Sequence, residues 1–596
     1  MAASPEDQSD DPVGIKITAN GKASADDLVV IAVRTRAEMN RVPEAVIVIA
    51  DGDVADNSFP VTAASTFAVG TEVKVEAFYG GGTASTIFDG IVTALRLRVL
   101  DSRGSRLEIT LRDKAVKLTL APATATYLKQ TDSAVISKIV EDAGLTADVS
   151  STATEHDAVV QYFAMPWDFI LSLAEANGLL VWAEAGKVVA KAPDTSASQV
   201  LTVTYGEDLI RFDAEVSLRG QFDSVDATAW SLSELATTDG SADPEPPGKW
   251  GTDKGSVLAD AAGGLTFPIA TPIQIEASDL TSLATARQTR SALAMLQGTA
   301  AFQGSGLAVL GATLELKGLA DRFTGTGLIC AVAHRVEDGQ WTTEVALGHP
   351  HRWLADRPGL ATASASALTA PIEGLQVGLV KQVAEDPNGQ AMIEITVPML
   401  GEEADPLWAR YNAPYASRDA GVMFLPEVGD EVIVAFLNSD PRYPVVLGSV
   451  HSSKNAQPVA PETANNIKVI QTREKLKVNF DDENKVITVE TPGGNSVTLS
   501  DQDQSITLKD QNGNSVEMSS SGITLNSASD VSITAAASVS ISGSSGVTIS
   551  SDADVSVSGL NVSACADVCF SASGNASAEL TASGQVTVQG ALVNIN

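Results

Sequence analysis

Two histidines that could ligate a metal ion lie two residues apart, at His349 and His351. Imidazole nitrogens suit zinc, but a zinc site takes three or four protein ligands, and the neighbouring sequence supplies no convincing third one. A solvent-facing strand end is therefore the favoured interpretation of this pair. We expect no metal ion and no other cofactor.

Cys565 and Cys569 could pair between chains or bind a metal ion. With Cys330 they make up the three cysteines of the chain, so no disulfide framework is implied. Both are out of phase with the apolar residues Val562 and Val568. This pattern favours small side chains that point outward or lie in turns.

Five acidic and amide side chains follow successive turns and resemble the ligands of calcium-binding solenoids. They are Asp501, Asp503, Asp510, Asn512 and Asn514. The Gly-Gly-x-Gly-x-Asp repeat of such solenoids is missing, so solvated turns are favoured. Motifs of zinc proteases, serine hydrolases and P-loop proteins are also missing from the sequence, and we expect no enzymatic activity.

Composition excludes further classes of function. The 596 residues include 39 Lys and Arg against 74 Asp and Glu, a net charge of −35, which argues against binding nucleic acid or an anionic membrane. At about 150 residues per domain the chain has room for about four domains. Its first residues are acidic and polar, unlike a signal peptide, so we expect synthesis in the cytoplasm without one.

The last hundred residues carry a repeat that must be positioned by a regular backbone. Apolar–x–apolar pairs recur every eight residues. The strict pairs are Ile523/Leu525, Val531/Ile533, Val539/Ile541, Val547/Ile549 and Val555/Val557, the predicted core. The phase then slips, and Leu560/Val562, Val568/Phe570, Ala578/Leu580, Val586/Val588 and Val593/Ile595 follow. Looser units of nine to ten residues precede the strict pairs, from Ile487 to Met518.

Alternation of this kind predicts short strands separated by turns, and a short fixed repeat predicts a β-solenoid. One octad supplies only two core side chains, so a single chain would leave strand edges unpaired and apolar faces wet. Three intertwined chains would close a triangular prism, about 65 Å long at the spacing of stacked strands. The absence of proline after Pro492 and of Lys or Arg after Lys509 agrees with such a rod.

Residues 371–455 read as about five short strands and predict a small barrel of the oligonucleotide/oligosaccharide-binding (OB) type. Phe424 to Asn455 resembles the OB segment of the VgrG family and of contractile-phage baseplate spikes. The matching residues are Pro426, Gly429, Asp430, Glu431, Val432, Asp440, Pro441, Pro444 and Gly448, with Trp408 and Arg410 at a Trp-x-Arg strand.

The N-terminal part mixes strands with three predicted helices, at 133–144, 166–178 and 280–300. Residues 311–348 and the segment around the second helix resemble the hub of the same family. The predicted fold class is therefore mainly β and multidomain. The predicted parts are a disordered acidic tail (1–12), a barrel-built hub (13–365) with an exposed loop at 237–264, an OB barrel (371–455), a neck (456–484) and a trimeric β-helix (485–596).

The resemblance implies a structural homotrimer, the central spike of a contractile injection system that punctures a target envelope mechanically. The implied partners are inner-tube and baseplate proteins at the hub and a PAAR-type tip protein at the C-terminal strand. Val593, Asn594, Ile595 and Asn596 would form the platform for the tip. The OB segment lacks long insertions, which favours an extracellular or phage-tail-like system over a type VI system.

The alternative is a glycan-active or adhesive protein on a β-helical stalk. Such proteins need paired carboxylates and aromatic platforms along a groove. Phe570 is the one aromatic residue after Phe480, and this scarcity counts against the alternative.

Overall fold

The structure, a computed structural model, describes residues 3–5, 11–24, 27–99, 104–231, 234, 236–243, 248–271, 275–350, 352, 371–400 and 405–595. The chain divides into two compact units, Met1–Val450 and His451–Asn596. Within the described residues no helix is long and apolar enough to cross a membrane.

The hub, residues 11–350, is built mainly from strands. Its strands are β1 (Val13–Ala19), β2 (Lys22–Ala23), β3 (Val30–Glu38), β4 (Glu44–Ala50), β5 (Glu72–Tyr79), β6 (Ser85–Arg98), β7 (Arg106–Arg112), β8 (Ala123–Thr131), β9 (Thr146–Val149), β10 (Glu155–Ala164), β11 (Leu180–Glu184), β12 (Lys187–Lys191), β13 (Gln199–Thr204), β14 (Leu209–Val216), β15 (Ser224–Ser231), β16 (Ala236–Ala242), β17 (Lys249–Trp250), β18 (Thr266–Thr271), β19 (Leu296–Gln303), β20 (Thr313–Lys317), β21 (Gly325–Glu337) and β22 (Gln340–Leu347). Its helices are α1 (Pro60–Ala63), α2 (Asp132–Asp142), α3 (Pro166–Ala176), α4 (Gly255–Ala261) and α5 (Ala277–Met295).

One large sheet organises the described hub. Its main path runs β14-β19-β22-β21-β3-β4-β7-β6-β5-β1-β2, with β13, β17 and β20 attached at the side. Alternating apolar residues place one face of each strand in a core. Ile47 of β4 pairs with Ile109 of β7, for example, and both side chains are fully buried.

Helices α2 and α3 pack on a second core with β11 and β12. The Thr131 side chain caps α2 by accepting from the Ala134 amide at 3.3 Å, and Gly144 follows the helix with a φ of +72°. Glycine is favoured there because other residues are strained at positive φ. Pro166 occupies the first turn of α3, where no hydrogen bond from its nitrogen is needed.

The third predicted helix ends five residues earlier than expected. Helix α5 stops at Met295, and Leu296–Gln303 forms β19 between β14 and β22. Gly298 explains the change, because a Cβ there would lie 2.6 Å from the Asp213 carbonyl oxygen of β14. Pairing of residues 296–303 with the neighbouring strands β14 and β22 therefore replaces the helix that the sequence pattern predicts there.

The loop predicted at 237–264 carries regular structure among its described residues: most of β16, then β17 and α4. Trp250 is buried, and its indole nitrogen donates to the Phe323 carbonyl at 3.0 Å. Residues 3–5 of the predicted disordered tail are ordered against the hub. Ala3 packs on the hub core and accepts a hydrogen bond from the Thr202 amide, so an apolar contact holds this short segment.

The OB segment folds into a closed barrel of five described strands, in the order β23-β24-β25-β29-β28. Its strands, with a small hairpin, are β23 (Gln376–Gln382), β24 (Met392–Thr396), β25 (Leu407–Tyr411), β26 (Ala416–Ser417), β27 (Ala420–Gly421), β28 (Glu431–Phe436) and β29 (Pro444–Ser449). Val380, Ile393, Ile395, Val432 and Val434 fill the barrel.

The second unit begins with an antiparallel sheet, here called the meander. It consists of β30 (Ile467–Gln471), β31 (Lys477–Asp481), β32 (Val486–Glu490), β33 (Ser496–Ser500), β34 (Ser505–Lys509), β35 (Ser515–Ser519) and β36 (Gly522–Asn526). The first two strands, β30 and β31, lie in the predicted neck. The apolar alternation at Val478 and Phe480 could have indicated a strand there. Residues 527–595, here called the octad segment, come next.

Candidate assembly interface

The meander presents one apolar face. Cross-strand partners place Val489 beside Val497, Val497 beside Leu508, and Leu508 beside Val516. A second, parallel row on the same face contains Phe480, Ile487, Leu499, Ile506, Met518 and Ile523. These rows include the looser apolar units of the sequence, which are therefore strands of a single-chain meander.

The opposite face of the meander is polar. Thr488 lies beside Thr498, Thr498 beside Thr507, and Thr507 beside Glu517. An antiparallel sheet with one apolar and one polar face normally packs its apolar face against another layer. In the single chain that layer is missing from the described residues, and Leu499 and Leu508 are each 42% exposed.

A groove with a volume of about 650 Å³ lies on this apolar face. The apolar residues that line it include Val489, Val497, Leu508, Val516, Leu525 and Val531. An apolar groove of this size that faces water is unfavourable for a lone chain, because exposed apolar surface costs about 25 cal/mol per Å². The geometry suits a second β-layer of similar composition.

The octad segment turns a corner every eight residues. Sharp bends occur at 528–529, 536–537, 544–545, 552–553 and 560, and then at 567–568, 575–576, 583–584 and 591. After 526, the described residues form no strand ladder within the chain. Protein partners for a backbone ladder along this path would therefore have to come from another chain.

Eight of the ten predicted core residues occupy equivalent positions in successive octads. The first apolar residue of each octad is about half exposed: Val531, Val539, Val547 and Val555 are 53%, 54%, 52% and 56% exposed. The other predicted pair, Ile523 and Leu525, precedes these four and belongs to β36. These two side chains are 75% and 57% exposed. The predicted spacing of the apolar positions therefore agrees with the backbone.

The predicted burial of these residues concerns a trimer, and the single chain does not test it. In the four pairs after β36, the second apolar residue is more exposed than the first in the single chain. Ile533, Ile541, Ile549 and Val557 are 71%, 68%, 72% and 74% exposed. The physical reason is that one chain contributes only one layer at each octad, so nothing within the described chain covers these side chains. A core made of these ten residues requires a second surface from another molecule.

The structure corrects two pairs after the phase slip. Leu560 and Val568 lie at bends and are 100% and 98% exposed. The positions two residues after each bend are instead Val562 and Phe570. Val562 and Phe570 therefore head the octads, each followed at the second position by alanine. The sequence pattern paired each of them with the wrong neighbour, because a bend at Leu560 resets the phase by one residue.

The predicted tip platform lies at the end of the octad segment. Val593 is 46% and Ile595 is 90% exposed, and Asn594 is exposed between them. Asn596 lies outside the described residues. Apolar side chains that remain this exposed give the segment a surface on which a partner could pack.

The acidic turns use their side chains locally. Asp510 accepts hydrogen bonds from the side chains of Asn512 and Asn514 in its own turn, at 3.2 and 2.7 Å, and these bonds hold the pKa of Asp510 below its usual value. Asp503 accepts from the Ser500 hydroxyl at 2.9 Å. Among the described residues, no three His, Cys, Asp or Glu side chains converge as metal ligands would.

The remaining candidates are dispersed. His349 is buried, with its Nδ1 atom 3.0 Å from the Pro350 carbonyl oxygen, and His351 lies outside the described residues. Cys565 and Cys569 are exposed, and Cys330 is buried in the hub, where burial raises the pKa of its thiol to about 12.

The OB motif forms a tight corner of the barrel. Asp440 is buried and accepts from the backbone amide and the guanidinium of Arg442, which hold the pKa of its carboxyl below the usual value. Gly429 has a φ of +92°, where a side chain would be strained. The Tyr411 hydroxyl donates to the Phe424 carbonyl at 2.8 Å, and Tyr411 lies outside the segment that the sequence singled out.

Three family models match the chain. Residues 9–338 match the Alg8 N-terminal domain, and residues 376–451 match the type VI secretion system/phage-baseplate injector OB domain. Residues 485–553 match the phage baseplate V C-terminal trimerisation domain. The last match covers most of the meander and the first octads.

Among curated proteins, the chain is 40% identical over 58 residues to the type VI secretion system spike protein VgrG3 of Vibrio cholerae. That stretch is 10% of this chain and spans 6% of the relative's length. Among solved structures, a 43 kDa tail protein of prophage MuSo2 from Shewanella oneidensis has a TM-score of 0.45 at 12% identity, with 57% of this chain and 99% of that chain covered.

An E. coli protein described as a type VI secretion component similar to T4 tail proteins gp27 and gp5 has a TM-score of 0.37 at 13% identity, and covers 73% of this chain and 100% of its own. Structural likeness at these scores carries no functional argument. The family-model matches show the family instead, because the first alone extends over more than half of the chain. The chain belongs to the family of the Alg8 N-terminal domain, and its OB and C-terminal segments are of the VgrG and phage-baseplate type.

Proposed function

We propose that this protein works as the homotrimeric central spike of a contractile injection system. The observation that carries the proposal is the apolar face of the meander, which extends over seven strands and which one chain leaves uncovered. Three such faces turned towards a common axis would exclude water from all of them. The match to a trimerisation domain supports three as the number of copies.

The octad segment supports the same assembly. Each half-exposed valine or isoleucine that becomes covered contributes roughly 1 kcal/mol, and the octads repeat this gain along the segment. Strands from the neighbouring copies would supply the backbone partners that the segment lacks. A closed, fully hydrogen-bonded prism without free edges resists bending and unfolding, as a puncturing device must.

The action is mechanical in this proposal, and it needs no covalent chemistry. The hub and the OB barrel would attach the spike to the inner tube and baseplate, and the name of the OB family model supports that placement. The exposed Val593 and Ile595 would bind a PAAR-type tip protein. The protein would be made in the cytoplasm and reach the outside as part of the particle, on firing or release.

The test is assembly with the proposed partners. The full-length trimer is mixed with an inner-tube protein from the same organism and with a PAAR-type tip domain, and complexes are examined by electron microscopy. The proposal predicts a spike capped by the tip and joined to a tube. A matched variant, Ile595→Asp, should lose the tip and keep the tube. A trimer that binds neither protein would contradict the proposal, as would release of sugar fragments from purified peptidoglycan.

A further inference from the structure

Three loops on one side of the meander share one conformation. They are residues 472–476, 491–495 and 510–514. In each loop the first residue donates its amide to the carbonyl of the fifth, at 2.9, 3.0 and 3.0 Å. In each loop the fourth residue has a positive φ. These residues are Lys475 (63°), Gly494 (96°) and Gly513 (94°).

The fifth residue of the second and third loops is asparagine, and its side chain reaches the next loop. Asn495 accepts from the amide of Gln511 at 3.2 Å. Asn514 accepts from the amide of Ala528 at 2.9 Å and from the hydroxyl of Ser527 at 3.0 Å. Gln511 and Ala528 are both the second residue after a strand, so the two contacts are equivalent.

The Asn514 side chain is itself held in place. Its amide nitrogen donates to Asp510 at 2.7 Å, and its backbone amide donates to the other oxygen of the same carboxylate at 2.8 Å. The two bonds to Asp510 therefore orient the side-chain oxygen of Asn514 towards the Ala528 amide. The preceding loop offers a related arrangement, in which Asn495 donates to the Thr491 hydroxyl at 3.0 Å.

The two contacts differ in the segment that each one precedes. Gln511 leads into β35, whose register is already fixed by a ladder with β34 and β36. Ala528 is the first corner of the octad segment, and no ladder within the described chain fixes the register of residues 529–595. A slip of one residue there would turn every octad valine to the wrong face.

We propose that Asn514 sets the register in which the octad segments of three chains assemble. By clamping Ser527 and Ala528 it fixes the first corner, and the later corners recur at intervals of about eight residues. Asn514 is thus a positioning residue for assembly, and the inference rests on the homotrimer proposed above. The role of Asn495 is confined to the meander, although its hydrogen bond is of the same kind.

The test compares Asn514→Ala with two matched variants of the full chain. Asn495→Ala removes the equivalent contact where a ladder already fixes the register. Asn512→Ala removes a different side-chain bond to Asp510, from the same loop as Asn514. Each protein is unfolded in denaturant and refolded, and the rate at which SDS-resistant trimer forms is measured. Hydrogen exchange of residues 529–595 in the recovered trimer reports whether the octads are paired uniformly.

We expect Asn514→Ala to form trimer at least roughly five-fold more slowly, because loss of a single ordinary hydrogen bond is worth about that factor and the substitution removes the bonds to Ser527, Ala528 and Asp510. Its octads should also exchange faster, and both controls should match the wild type. Equal rates for Asn514→Ala and the wild type would overturn the inference, as would equal slowing of all three variants. A wild-type protein that never forms trimer would instead refute the proposed homotrimer.

Discussion

Placing a carboxylate at an octad valine, Val547→Asp, should prevent trimer formation. Val547 is 52% exposed in the single chain, so its own turn covers about half of the side chain, and assembly must cover the rest. Burying an unpaired polar group costs roughly 2 to 7 kcal/mol, and a trimer would carry three such groups close to one axis. The summed cost is comparable to the whole stability of an ordinary domain.

The control is the same substitution at Val568. That valine lies at a bend, outside the two apolar positions of its octad, and is 98% exposed, so we expect an aspartate there to remain in water after assembly. We expect Val568→Asp to assemble like the wild type. The two variants are identical in composition and charge, and their solution masses are measured by light scattering at several concentrations. Equal behaviour of the two variants would refute the assignment of octad and corner positions.

Three further predictions concern the hub and the barrel. Burial lowers the pKa of His334 to about 4, so below pH 7 the unfolded chain binds a proton that the folded hub does not. The free energy of unfolding of the hub should therefore decrease by about 2 kcal/mol between pH 7 and pH 5. His334→Leu should remove this pH dependence from urea unfolding curves. Arg290→Met removes the ion-pair partner of the buried Glu175 carboxylate and should lower the stability of the hub by about 3 to 5 kcal/mol. The double variant with Glu175→Met should recover much of that stability. Loss without recovery in the double variant would show that packing, rather than charge, governs this site. The pKa of Asp440 is lowered, so its contribution to the barrel is present above the usual aspartate pKa and disappears as pH falls. Asp440→Asn should therefore lower the unfolding midpoint of the barrel more at pH 7 than at pH 3, and an equal decrease at both values would contradict the pKa direction.

Much of the fold could be predicted because it arises from local patterns. Period-two alternation identified the strands, and the octad spacing identified positions such as Val531 and Val547 that the structure makes equivalent. The corners were harder, because Leu560 and Val568 fit the apolar pattern while lying at bends. Only the path of the backbone distinguishes an apolar corner from an apolar strand position.

Long-range pairing accounts for the other differences. The end of α5 depends on strands that approach Gly298 from distant parts of the chain, and no local signal reports them. The order of residues 3–5 also depends on a long-range contact, because their pairing with β13 joins segments about two hundred residues apart. The Asn514 clamp depends on the stacking of loops, which becomes visible only once the meander has folded.

The most direct test of the central claim is the solution mass of the full-length protein, measured by light scattering with and without mild SDS at room temperature. An intertwined apolar core predicts a species of three chain masses that resists SDS. A monodisperse monomer would contradict the assembly of the octads, and with it the function as a spike.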